Sequence, residues 1–126
     1  MDAATKETYE KIRLGGNFIL ARKNVEELIK LKSENSVDRL AIDLQFIVMP
    51  ENFHEVLLFA EHWAKVFERN HLGYILNSKH DGLVSENTIS FVVRHPVTEE
   101  SLGLHSKACE LLELNEINKK DLTGEL

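Results

Sequence analysis

The chain has 126 residues, 43% of them hydrophobic and 29% charged, with 6 Gly, 2 Pro and a single Cys. Such a composition belongs to an ordinary globular domain and excludes collagen-like, fibrous and intrinsically disordered chains. Fifteen Lys and Arg against 21 Asp and Glu give a formal charge of −6, divided unevenly: residues 1–39 carry 8 basic and 7 acidic side chains, residues 40–126 carry 7 and 14. The longer part therefore repels phosphate backbones, and nucleic acid is an unfavoured partner.

Cys109 alone cannot form an internal disulfide, and the opening MDAATKETYEK lacks the basic-then-apolar order of a secretory signal. A cytoplasmic protein is the expectation. The longest apolar stretch, Val56 to Phe67, is interrupted by Glu61, His62 and Lys65. It falls short of the roughly 20 apolar residues that span a bilayer, so no membrane segment is expected.

In chain order, residues 3–13 favour helix, and a second helix is expected from Asn17 to Lys32, with Phe18, Ala21, Val25, Leu28 and the stem of Lys32 along one narrow face. Gly15-Gly16 separates the two, since paired glycines cost a helix about 2 kcal/mol relative to alanine. Asn17 is placed to cap the second helix, and residues 33–38 form the turn that ends it.

From Leu40 the period becomes two: Leu40, Ile42, Leu44, Phe46 and Val48 alternate with Ala41, Asp43, Gln45, Ile47 and Met49 as a strand. Pro50 stops it and is placed to open a helix in which Phe53, Val56, Leu57, Ala60, Trp63, Ala64 and Phe67 make a core-facing stripe. Residues 72–76 read as a second strand, 77–87 as a turn containing His80-Asp81-Gly82, and Thr88–Arg94 as a third strand, the last two strands pairing as a hairpin. Thr98 is the N-cap of a last helix that runs to about Leu114, with Glu99 and Glu100 in its first turn and Val97 and Leu102 spaced as a hydrophobic staple.

The fold class expected is α+β: two N-terminal helices, then a β-α-β-β-α unit with helices packed on a three-stranded mixed sheet. If the third strand inserts between the others, the unit is a split βαβ arrangement analogous to the ferredoxin-like kind. One domain is expected over residues 1–126, with a helical segment 1–36, an αβ body 37–114 and a polar tail 115–126.

Six histidines invite a metal reading. The pairs Glu51-x-x-His54 and Glu68-x-x-His71 have a di-iron spacing, but they sit at opposite ends of one helix, about 25 Å apart, and cannot share an ion. His105 and Cys109 stand one helical turn apart and are the only weak metal or haem candidates; no further ligand pattern supports them, and no cofactor is assigned.

The corner where the third strand meets the last helix brings together Arg94, His95 and Ser101. These are the candidate ligand-binding residues, with an ordinary ion pair from Arg94 to Asp43 or Asp81 as the competing role. No catalytic residue is assigned. Leu58, Phe59 and Val66, and Leu104, Leu111 and Leu114, fall off the main helical stripes. That apolar surplus points to a small regulatory or binding module, a homodimer that engages a protein or small-molecule ligand. The alternatives are a small enzyme using His95 as acid or base with Arg94 holding an anion, and a metal or haem protein through His105 and Cys109.

Overall fold

The computed structural model describes residues 1–35, 40–76 and 86–114. Four helices and a small sheet are built from them: α1 (Lys6–Ile12), α2 (Phe18–Asn35), β1 (Asp43–Val48), a 3-10 turn (Phe53–Glu55), α3 (Val56–Arg69), β2 (Ile75–Leu76), β3 (Thr88–Val93) and α4 (Glu99–Leu114). The expected tail 115–126, the turn around His80-Asp81-Gly82 and the end of the 33–38 turn lie outside the described residues.

The sheet has the order β1-β3-β2, so β3 does insert between its neighbours. Both pairings are parallel, Asp43–Val48 against Thr88–Val93 and Ile75–Leu76 against Thr88–Ile89. The expected hairpin and mixed sheet are thus corrected to an all-parallel sheet. Turn-forming residues between two strands say that the chain bends, not that it returns in the opposite direction. β2 contributes only two residues to the ladder, Ile75 and Leu76.

Alternation along β1 and β3 sorts their side chains onto two faces. Phe46, Val48, Ile89 and Phe91 join Val56, Phe59, Ala60, Trp63 and Phe67 of α3 and Ala108 and Leu112 of α4 in one core. Phe59 and Val66, assigned above to an apolar surplus, are buried in that core, whereas Leu58 stays exposed. On the other face, Asp43 Oδ1 accepts from Thr88 Oγ1 at 2.5 Å and Ser90 Oγ at 2.8 Å, and Gln45 Nε2 donates to Asp43 Oδ2 at 3.0 Å.

Caps fix the helix starts. Asn17 Oδ1 accepts from Leu20 N, and Gly15 takes φ +81° in the break before it. In α2 Phe18 is buried as expected, Ile29 is buried in place of Leu28, and Lys32 is buried with its Nζ 2.6 Å from Asn87 Oδ1. Asn87 Oδ1 also accepts from Ile42 N, and its Nδ2 donates to Gly73 O, so one side chain ties α2, β1 and the approach to β2 together.

Pro50 does not open α3. The chain first turns around Asn52, whose Oδ1 accepts from Met49 N while its Nδ2 donates to Ile47 O and Asp2 O. Asp2 Oδ1 in turn accepts from Ile47 N on the outer edge of β1, which shields part of that edge. Glu55, buried, accepts from Ala4 N, Thr5 N, Thr5 Oγ1 and Thr8 Oγ1 and so anchors the start of α1. Burial works to raise its pKa, but the hydrogen bonds from Thr5, Ala4 and Thr8 together outweigh it and hold the carboxyl below its ordinary 4.5.

Parallel α2 and α3 are joined by Glu26–His62 at 3.0 Å and by Ser33 Oγ donating to Asn70 O at 2.6 Å. Burial lowers the His62 pKa below 6.5 against the opposing pull of Glu26. Glu55 and His62 each have a folded pKa below the unfolded one, so each makes folding less favourable in acid. The unfolded chain takes up the His62 proton first as pH drops below 6.5. Glu55 stabilises fully above 4.5, and that contribution is lost as pH falls through its lowered folded value. Urea midpoints are expected to step down through each window, the first step vanishing in His62→Gln and the second in Glu55→Gln. An unchanged decline in either variant contradicts the assignment.

Candidate functional site

β1 and β3 end side by side, at Val48 and Val93, and the segment 94–98 leads directly into α4. Thr98 caps that helix as expected: Ser101 N donates to Thr98 Oγ1 at 3.0 Å, and Thr98 N donates to Ser101 Oγ at 2.7 Å. The reciprocal pair is a capping box with serine in the third position. Arg94, His95 and Ser101 all line one groove of about 270 Å³ here, with Val48 and Pro50 from the end of β1 and Thr98, Glu100 and Leu104 around α4. Ser101 contributes a hydroxyl already engaged in capping.

Arg94 and His95 are exposed. The Arg94 partner is Glu51, at 3.9 Å with both side chains nearly half exposed, not Asp43, which serves Thr88 and Ser90; Asp81 lies outside the described residues. A solvated pair at that distance contributes under about 1 kcal/mol and is readily displaced. Among the described residues nothing orients the His95 ring, so the base-plus-orienting-group arrangement of acid–base catalysts is not assembled there.

A second hollow, of about 520 Å³, shares Arg94 and His95 with the first but lies over the other face of the sheet, on Gln45, Ile47, Met49, Val92 and Val93. Its floor was not apparent in the sequence, because it depends on the parallel register that sets Ile47 beside Val92.

His105 and Cys109 do come together, Sγ lying 3.8 Å from Nε2. The same Nε2 is 2.7 Å from the Phe91 carbonyl, which can only accept, so Nε2 carries the proton. β2 pairs β3 only as far as Ile89, and His105 supplies a donor to the strand beyond it. A nitrogen engaged in that way cannot also ligate a metal. No group of three or more His, Cys, Asp or Glu suited to a metal exists among the described residues. Of the spaced pairs, Glu51 is occupied by Arg94 and Glu68 Oε1 by the Tyr74 hydroxyl.

Compared with known proteins, the chain significantly matches no family model, no curated protein and no solved structure. No helix among the described residues is long and apolar enough to cross a membrane.

Proposed function

We propose that the protein is a small cytoplasmic binding module that holds an anionic ligand at Arg94 and His95, without catalysing a reaction on it. The observation that carries this reading is the convergence of Arg94, His95 and Ser101 on one groove at the C-terminal ends of two adjacent parallel strands. Ligands of open parallel sheets characteristically sit outside those strand ends. Arginine is the side chain best shaped for a carboxylate or phosphate. In a body whose charges are mainly acidic, it stands out as a local attractor.

Titration with acetate and with inorganic phosphate, followed by amide chemical shifts, is expected to move the signals of Arg94, His95 and their neighbours. Binding should weaken with added salt and fall about tenfold in Arg94→Gln, since a charge-assisted hydrogen bond contributes about 1.5–3 kcal/mol. Shifts that ignore Arg94→Gln, or no shifts with either anion, would overturn the reading.

The reading also takes a second copy of the chain as a partner. Leu20, Leu28 and Leu31 of α2 and Leu58 of α3 remain 43–53% exposed, apolar surface of the kind that interfaces cover. A dimer in sedimentation equilibrium supports this part; a strict monomer removes it.

A further inference from the structure

We infer that the ligand of the Arg94 site is an amphipathic monocarboxylate, its head on Arg94 and its apolar body lying in the larger hollow against the half-buried Ile47 and Val92, with the nearly buried Met49 beside them. This rests on the anion site proposed above and specifies what that site takes. Two hollows share Arg94 and His95, and their linings differ in chemistry. The smaller, of about 270 Å³, has Glu100 in its lining beside Arg94 and His95. The larger has no acidic side chain in its described lining, and its floor is chiefly apolar.

Register explains how that floor arises. Ile47 and Val92 are direct partners across β1 and β3, so they stand side by side on one face, with Met49 continuing the row beyond the end of β1. Farther along, the same face turns polar: Gln45 Nε2 is held by Asp43, and Asp43 also gathers Thr88 and Ser90. The apolar strip is therefore bounded, cationic at one end and amide-lined at the other, and suits a body of limited length. A volume near 520 Å³ falls within the range of small-molecule sites. A phosphate or acetate would engage the head position and leave this strip wet.

The test is a series of unbranched carboxylates (acetate, butanoate, hexanoate and octanoate) with octan-1-ol and inorganic phosphate as controls, titrated against the full chain below micelle-forming concentrations. Affinity is expected to rise about twofold to fourfold per added methylene, the gain for apolar surface leaving water in an open groove. Octanoate should bind at least tenfold more tightly than octan-1-ol. Arg94→Gln should abolish that preference, and Val92→Thr and Ile47→Thr, which keep a branched side chain in the strand, should flatten the chain-length dependence, so that octanoate loses most of its advantage over acetate. If all the carboxylates bind alike at Arg94, the inference fails and the anion site stands. If octanoate perturbs α2 and Leu58 instead of the sheet face, the inference likewise fails. If neither acetate, phosphate nor any longer acid binds, the site itself is refuted along with it.

Discussion

Phe59→Ala is expected to destabilise the protein by about 3–5 kcal/mol, a large part of the 5–15 kcal/mol that holds a domain folded. Phe59 is fully buried, with its ring centroid 4.9 Å from Phe46, 5.9 Å from Phe91 and 6.3 Å from Trp63. It thus joins α3 to both long strands. Truncation removes the edge-on ring contacts as well as the transferred apolar surface, and the surrounding elements cannot all collapse into the space. Phe59→Leu, which keeps most of the volume, should cost only about 1–2 kcal/mol. Urea unfolding measures both, and a cost below about 1 kcal/mol for alanine would mean that this ring is not at the centre of the core.

Asn52→Leu is expected to cost about 3 kcal/mol or more although the two side chains are close in size. Asn52 is fully buried and makes three hydrogen bonds, to Met49 N, Ile47 O and Asp2 O. Leucine leaves all three main-chain groups without their partner, at about 1–3 kcal/mol for each one that water cannot reach. Asn52→Asp retains the acceptor for Met49 N but faces two carbonyl oxygens with a carboxylate, so it should be no milder. Faster amide exchange at Met49, together with a lowered urea midpoint, distinguishes this local cause from general loosening. If leucine proves neutral, the turn after β1 is held by something other than this amide.

Much of the architecture is legible in local pattern. The period-two run ending at Val48, the stripe from Val56 to Phe67, the Gly15-Gly16 break and the caps at Asn17 and Thr98 each depend on residues a few positions apart. Strand direction is not of that kind. β3 alternates apolar and polar residues as a half-solvated hairpin strand would, yet it is central: Thr88 and Ser90 are 3% and 2% exposed, and their hydroxyls bond Asp43 rather than water. Patterns based on polarity cannot tell a hydroxyl that faces solvent from one satisfied inside. In the same way Ile29 replaces Leu28 on the inner face of α2 because its orientation is set by Lys32 reaching Asn87 and Glu26 reaching His62, contacts made 36 or more positions away.

The candidate site divides along the same line. Arg94, His95 and Ser101 lie within eight consecutive positions, so a strand end followed by a capped helix suffices to bring them together. Pro50, Ile47 and Met49 enter through the pairing of β1 with β3, and Glu51 supplants Asp43 as the Arg94 partner for the same reason. Those residues carry the shape and polarity of the hollows, which only the register reveals.

The insertion of β3 between β1 and β2 has a consequence for assembly. Neither outer strand touches the other, so no part of the ladder exists until Thr88–Val93 arrives, 45 positions after its partners in β1. Closing so long a segment before any ladder forms is entropically slow. Until then Phe46 and Phe59 lack the Phe91 ring that packs against both. The parallel ladder and the ring cluster of Phe46, Phe59 and Phe91 therefore cannot form until β3 itself has been synthesised.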